Sequence, residues 1–205
     1  MKQTANIKSL TEIADLRSGF TFRGKIEEVA DGNAHVVQIK DVRQLQDEKG
    51  SDLICSGDLP CIHWEGKDNA WIAPGTVLLP SRGGYFRSAV VSLDNAGLPV
   101  VASSQFILIT PTSSLVIPEF LSWSLNRPRM QRYLGEIASQ GSSIPMLSTA
   151  TAKELKLEIP GLETQHRILR LNKLWEQEQQ LTRALLKNRE AMLQGMFQQL
   201  LNREE

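Results

Sequence analysis

The sequence has no excess of charge of either sign. Its 23 Lys and Arg residues balance 23 Asp and Glu residues, which excludes a histone-like protein that holds nucleic acid by bulk charge alone. Cysteine is scarce, with only Cys55 and Cys61, so no disulfide framework is expected and a reduced, cytoplasmic protein is predicted. No segment approaches the ~20 consecutive apolar residues that a membrane helix needs, so no membrane association is expected.

Proline and glycine almost disappear after Gly161. From Glu163 to Arg203 the chain has no proline and one glycine, Gly195, among many strong helix formers. This stretch predicts a single helix of ~60 Å at ~1.5 Å per residue. A compact domain of ~160 residues has a radius of gyration of only ~15 Å, so we divide the chain into a globular domain, residues 1–160, and a helical arm, residues 161–205.

The apolar residues of the arm follow a heptad pattern that indicates a coiled-coil seam. The candidate dimerisation residues are Leu171, Leu174, Trp175, Leu181, Leu185 and Met192. Glu178 interrupts the seam, and Asn188 occupies a position where a polar residue can set register. An arm folded back over its own domain is the alternative, but its length favours a partner helix.

Residues 1–160 have the pattern of an α+β domain. Short apolar runs predict strands at 35–39, 59–64, 70–72, 76–79, 88–93, 100–102, 106–109 and 156–159. A capping box at Ser9 and Glu12 predicts a helix that ends at Gly19. Further helices are expected over 120–139, with a break at Arg127 and Pro128, and over 151–155. The predicted fold class is an α+β domain with a short-stranded, curled β-sheet and flanking helices, followed by one long C-terminal helix.

Several short phrases along the chain are typical of one protein family. They are RSGFTF (17–22), VQIKDV (37–42), PGTVLL (74–79) leading to SRG (81–83), VASSQF (101–106), PEFL (118–121), GSSIPML (141–147) and LEIPGLETQ (157–165). In this order the chain resembles the target-recognition domain and helical spacer of type I restriction-modification specificity (S) subunits. A usual S subunit has two such domains and two helices, so this chain resembles a half-length form.

The resemblance implies a non-catalytic subunit that reads one half-site of a bipartite sequence in double-stranded DNA. A second copy, paired through antiparallel arms, would read the other half. The resemblance also implies that separate methyltransferase (M) subunits dock on the arms and use S-adenosylmethionine, so no cofactor is expected in this chain. It leaves open whether restriction (R) subunits join.

Reading DNA requires donors at base edges and neutralised phosphates. With the resemblance in view, the candidate DNA-binding residues, all in or beside predicted turns, are Arg23, Lys25, Lys40, Arg43, Arg82, Tyr85 and Arg87. Gly83 and Gly84 would let the backbone approach a phosphate. For any single cation a solvated surface charge is the favoured interpretation, whereas some members of the set are expected to contact DNA.

A second basic set is formed by Arg127, Arg129 and Arg132. It is interpreted either as a phosphate-facing edge or as the solvent face of a helix. The loop at 141–145 either only turns the chain or, as the resemblance implies, supports the DNA-facing surface or a partner subunit. Met146 and Leu147, which follow it, are predicted to be core residues.

The sequence assembles neither a reaction centre nor a metal site. Cys55, Cys61 and His63 offer three ligands at unusual spacing, and buried thiols with a strand histidine are expected instead. No nucleophile elbow, phosphate loop or glycine fingerprint occurs, so no catalytic residue and no metal ligand is predicted. Asp41 is expected to form a turn or to pair with Arg43 or a backbone amide.

Two other functions stay open on the sequence alone. One is a solitary dimeric DNA-binding regulator or anti-restriction protein that acts without a methyltransferase. The other is a coiled-coil adaptor with no role in nucleic-acid binding. An enzyme is not supported.

Overall fold

The computed structural model describes residues 6–92, 97–140 and 144–202, with Lys49 described by its backbone alone. The strands are β1 (Asn6–Ser9), β2 (Ala14–Ser18), β3 (Ala34–Val37), β4 (Leu53–Cys55), β5 (Cys61–Ile62), β6 (Val77–Pro80), β7 (Ala89–Ser92), β8 (Val100–Ala102), β9 (Phe106–Pro111) and β10 (Lys156–Ile159). The α-helices are α1 (Ile39–Lys49), α2 (Pro118–Asn126), α3 (Pro128–Ala138), α4 (Thr149–Lys153) and α5 (Leu162–Leu201). Two compact units result, Met1–Leu169 and Arg170–Glu205.

A five-stranded sheet in the order β2-β9-β6-β7-β4 organises the first unit. Its central strands have apolar residues on both faces, because successive strand residues point to opposite sides. In β9, Ile107 and Ile109 join a core with α2, α3 and α4, whereas Phe106 and Leu108 join a second core. The second core also contains residues of α1 and of a three-stranded sheet, β5-β3-β8. This architecture confirms the predicted α+β class.

The helix predicted from Ser9 to Gly19 is wrong after Glu12. The capping box forms, with the Ser9 N–H donating to Glu12 Oε2 at 2.7 Å, but it caps only a 3₁₀ turn over Leu10–Glu12. The chain then enters β2, which pairs antiparallel with β9 along its whole length. Pairing with a distant strand therefore outweighs the local helix signal.

Helix α1 replaces the end of the strand predicted at 35–39. Lys40 and Arg43 therefore lie on a helix and not beside a turn. The Gln38 N–H donates to Asp41 Oδ2 at 2.7 Å, which confirms the predicted pairing of Asp41 with a backbone amide. Burial raises the pKa of Asp41. The helix ends at Gly50, which adopts φ 63°, a conformation that glycine favours.

The remaining helix and strand predictions were confirmed in part. The break at Arg127, the strand at 156–159 and the long C-terminal helix are confirmed. The strand at 70–72 is wrong, because Asp68–Ala70 forms a 3₁₀ turn, and β1 and β4 were not predicted. Leu93 and the loop residues 141–143 lie outside the described residues. Within the described ranges, no helix combines the length and the apolar character needed to cross a membrane.

Candidate nucleic-acid interface

Arg43, Gly83 and Tyr85 meet at the surface of the first unit. Arg43 is exposed on α1, and its Cζ lies 6.0 Å from the centroid of the Tyr85 ring, which is within cation–π range. A Cβ at Gly83 would lie 3.6 Å from Arg43 Nη2. Tyr85 is 38% exposed. Helix α1 and residues 81–87, which we call the 81–87 loop, therefore form one basic and aromatic surface.

The 81–87 loop is held from its other side by the segment before α4. The Gly83 N–H donates to the Pro145 carbonyl at 2.9 Å, and the Leu147 N–H donates to the Ser81 carbonyl at 2.8 Å. Arg82 forms an antiparallel bridge with Met146. Met146 is 50% exposed, so its predicted core position is wrong, whereas Leu147 is buried as predicted. Pro145 thus supports the loop, while residues 141–143 lie outside the described ranges.

Arg87 points into the protein surface and its charge is already paired. Its Nε lies 2.7 Å from Asp52 Oδ1, and it also interacts with the side chain of Tyr85. Burial acts to lower the pKa of Arg87, but Asp52 and Tyr85 together raise it above its ordinary value. Arg87 is therefore a permanently charged member of an ion pair at the base of the loop.

Asp52 also anchors two neighbouring helices. Besides Arg87, it accepts hydrogen bonds from Gln46 Nε2 of α1 at 2.8 Å and from Asn126 Nδ2 of α2 at 2.9 Å. Asn126 Oδ1 accepts the Ser88 N–H at 2.7 Å. We call these five residues the Asp52 network. Burial of polar groups is tolerated when they are hydrogen bonded, and this network fixes the 81–87 loop against α1 and α2.

Sequence reasoning missed the Asp52 network. Gln46 falls four residues after the buried Val42 on α1, so the two residues share the inner face of the helix. A polar residue on this face would have indicated a buried hydrogen-bond site, but only if α1 had been predicted. Asp52 and Asn126 have no such local signal. Their role depends on three chain segments that meet only after folding.

The second basic set borders the same surface. An open groove of about 530 Å³ is lined by Gly84 and Phe86 on the loop side and by Arg132 and Glu136 on α3. Arg129 and Arg132 are exposed, and Arg127 Cζ lies 5.5 Å from the Trp123 ring centroid. The groove thus brings Arg132 beside the 81–87 loop, with Glu136 moderating its positive charge.

The remaining candidates lie on α1 and on the segment between β2 and β3. Lys40 precedes Arg43 by one helical turn and forms an ion pair with Glu28, and this hydrogen bond raises the pKa of Lys40. Through this ion pair, Glu28 links α1 to the segment that carries Arg23 and Lys25. Both Arg23 and Lys25 are exposed. Of these three cations, Lys40 lies closest to Arg43 along the chain, one turn earlier on α1.

The same segment carries an aromatic cluster beside Arg23. The ring centroid of Phe20 lies 5.1 Å from that of Phe22 and 4.8 Å from that of Trp64. Edge-to-face packing of this kind stabilises a loop that has no regular secondary structure.

The arm residues predicted for dimerisation share high exposure. In the chain, 52 to 72% of each of the following is exposed: Leu171, Leu174, Trp175, Leu181, Leu185 and Met192. Contacts within the second unit are polar and local, such as Asn172 Nδ2 to Glu176 Oε1 at 2.7 Å. The predicted dimerisation residues form an exposed apolar stripe along the arm, which Glu178 interrupts.

The cysteines and histidines form no metal-binding group among the described residues. His35 Nδ1 lies 3.0 Å from the Leu59 carbonyl oxygen and 3.5 Å from Cys61 Sγ. His63 lies outside β5 and is exposed beside Asp31, so the predicted strand position of His63 is wrong. His35 and Cys61 thus contact each other and the backbone of the fold.

Comparison with known proteins identifies the family. The family model of the type I restriction modification DNA specificity domain matches residues 2–187. The chain belongs to this family. The specificity subunit of the type I restriction enzyme HindI from Haemophilus influenzae is 30% identical over 98 residues, which are 47% of this chain and 21% of that relative. Family membership confirms the resemblance to type I restriction-modification specificity subunits.

Solved structures confirm the fold. The HsdS subunit from Thermoanaerobacter tengcongensis superimposes with a TM-score of 0.57 at 18% identity, over 90% of this chain and 40% of that one. The type I S subunit from M. genitalium gives 0.54 at 17% identity, over 86% and 40%. The chain thus spans about two fifths of the length of the solved S subunits and a fifth of the curated relative it matches.

Proposed function

We propose that this chain reads one half-site of a bipartite sequence in double-stranded DNA and serves as a specificity subunit of a type I restriction-modification system. The observation that carries the proposal is the Arg43–Tyr85 surface, which is exposed, basic and held in place by the Asp52 network, in a chain of the DNA-specificity family. Exposed guanidinium and phenol groups on a fixed support are suited to base edges.

The surroundings of that surface are suited to phosphate contacts. Arg82 and Arg132 are exposed on either side of Gly84, and the backbone at Gly84 is unobstructed, because a Cβ there would meet nothing within 4 Å. Phosphate contacts position a protein on the duplex, whereas base contacts supply the sequence preference. The 81–87 loop would therefore lie at the major groove of the DNA, with Arg82 and Arg132 directed towards the phosphate backbone of the DNA.

The arm provides the second half of the proposal. The exposed stripe from Leu171 to Met192 suits an identical helix, and two identical arms around a two-fold axis would present two recognition domains in inverted orientation. The recognised sequence would then be a palindrome with an unread spacer between its halves.

Catalysis in this proposal belongs to partner subunits. Methyltransferase subunits that bind S-adenosylmethionine would dock on the paired arms, and restriction subunits would add cleavage where the system has them. The chain would act beside the chromosome in the cytoplasm and would need no cofactor of its own.

Methylome sequencing of a host that carries the system tests this proposal. We expect a methylated, spaced palindrome that disappears when the gene for this chain is deleted and returns when it is restored. A dependent mark that is continuous or asymmetric would refute two-fold half-site reading. No dependent mark, together with tight sequence-specific binding by the pure chain, would instead indicate a solitary regulator.

A further inference from the structure

Four side chains connect a partly buried carboxylate to the exposed surface. Arg87 Nε lies 2.7 Å from Asp52 Oδ1, the side chain of Tyr85 interacts with Arg87, and Arg43 Cζ lies over the Tyr85 ring, 6.0 Å from its centroid. Each contact restrains the next group. Arg43 is the outermost member and therefore the one whose donors face solvent.

The two arginines of this connection have different surroundings. Arg87 is half-buried and also donates from Nη2 to the Gly50 carbonyl at 3.4 Å, so much of its hydrogen-bonding capacity is used within the protein. Arg43 is exposed, and its Cζ lies over the Tyr85 ring, 6.0 Å from the centroid. A cation–π contact needs no N–H···O hydrogen bond, so it leaves the guanidinium donors available for a bidentate partner.

We propose that Arg43 reads a guanine through the major groove, and that Asp52 and Arg87 are positioning residues that act on Arg43 through Tyr85. The proposal rests on the proposed DNA-reading function and specifies which base one residue recognises. Guanine O6 and N7 are two acceptors that match the donors of one arginine, and this is the commonest specific contact in the major groove.

Restraint by the Asp52 network explains how an exposed arginine can discriminate between bases. A free arginine side chain loses rotamer entropy when it is immobilised on a base, and this loss reduces the gain from the correct pair. The contact with Tyr85 removes part of that freedom before DNA binds. The effect requires Tyr85 to stay in place, which is what Arg87 and Asp52 provide.

Binding measurements on the full chain, in the assembly purified from its host, test the proposal. The probes are a duplex that carries the methylated site and matched duplexes in which single G·C pairs of a half-site are replaced by A·T. For Arg43→Ala we expect a loss of about ten- to a hundredfold in affinity for the methylated site and a lost preference at one G·C position only. Lys156→Ala, which removes an exposed cation on β10, is the control and should keep every preference.

The positioning role is tested by coupling to Arg43. Tyr85→Phe keeps the ring and removes its hydroxyl, and Asp52→Asn removes the charge that pairs with Arg87. Each should reduce discrimination at the same G·C position by about threefold or more, and neither should reduce it further in the Arg43→Ala background. Thermal unfolding of each variant checks that it is folded. If Asp52→Asn is not folded, Tyr85→Phe alone tests the coupling.

The outcomes separate the inference from the proposed function. If a methylation mark depends on this chain but Arg43→Ala leaves every base preference unchanged, the guanine assignment is refuted and the proposed function stands. If the positioning variants weaken all positions equally, or add to Arg43→Ala, the network has a structural role only. If no mark depends on the chain and the duplexes are not bound, both are overturned.

Discussion

Gln165 accepts the backbone N–H of Ile117 through its Oε1 at 2.9 Å, although the two residues are 48 positions apart. The Gln165 side chain is fully buried, and its Nε2 donates to the Leu115 and Pro160 carbonyls at 2.7 and 2.8 Å. One amide thus satisfies three backbone groups where α5 begins and where the chain enters α2. A glutamine suits this position because it combines an acceptor with two donors.

Replacing Gln165 should destabilise the first unit. Gln165→Ala leaves buried backbone groups without partners, and each such group costs ~1–3 kcal/mol. We therefore expect a decrease of about 2 kcal/mol or more in the free energy of unfolding, measured by urea denaturation with an unchanged slope. Gln194→Ala, an exposed glutamine of α5, is the matched control and should change stability by less than ~0.5 kcal/mol. Equal effects of the two substitutions would contradict the assigned role of Gln165.

Charged residues in the arm stripe should abolish self-association. The wild-type chain is expected to be a dimer by light scattering at micromolar concentration, and Leu181→Glu with Leu185→Glu should make it monomeric, because four carboxylates would be buried in the paired helices. Gln179→Glu with Gln194→Glu adds the same charge on the opposite side of the helix and should remain dimeric. A monomeric wild-type chain would contradict the pairing of arms.

Gly19 should not tolerate a methyl group. A Cβ there would lie 2.1 Å from the Ser103 carbonyl oxygen, whereas a Cβ at Gly24 would meet nothing within 4 Å. Gly19→Ala should therefore decrease the free energy of unfolding by ~1–3 kcal/mol through overpacking. Gly24→Ala is the control and should be neutral within ~0.5 kcal/mol. Thermal or urea unfolding measures both, and a neutral Gly19→Ala would show that β2 and the turn after β8 can separate freely.

Glu12 should titrate well below other glutamates. Hydrogen bonds from Lys8 and from the backbone and side chain of Ser9 lower its pKa from 4.5 to about 2. The depressed pKa means that the contribution to stability is complete above pH 4.5 and is lost as the pH falls from 4.5 to about 2. A carboxyl chemical-shift titration should show this midpoint, and Glu12→Gln should remove that part of the acid dependence. A midpoint near 4.5 would show that the capping box opens in solution.

Local sequence signals were sufficient where one segment contains its own information. The fully apolar run of β9 and the break at Arg127 and Pro128 before α3 were predicted, because side-chain hydrophobicity and proline geometry act within a few residues. The 3.5-residue repeat and the lack of helix breakers likewise predicted α5. The family phrases are also local, which is why the family was recognisable from the sequence.

The candidate site was predicted in its residues but not in its arrangement. Arg43 and Tyr85 were both chosen as basic or aromatic residues near turns, yet their contact depends on α1, which the sequence did not predict. Eight of its eleven residues are polar and only Ile39, Val42 and Leu45 are apolar, so the apolar signal of this helix is weak. Whether Arg43 and Arg82 touch DNA stays a prediction.

By itself the sequence determined the α+β class, the long C-terminal helix and the family, since each depends on periodicity, helix propensity or short phrases that survive without a fold. Tertiary structure alone decided that residues 14–18 form β2 and that Arg87 faces inward to Asp52 while Arg43 faces outward. The physical reason is that β pairing and partly buried ion pairs gain their free energy from partners far along the chain. The tertiary structure therefore determines whether a charged residue pairs within the protein or is exposed at the surface.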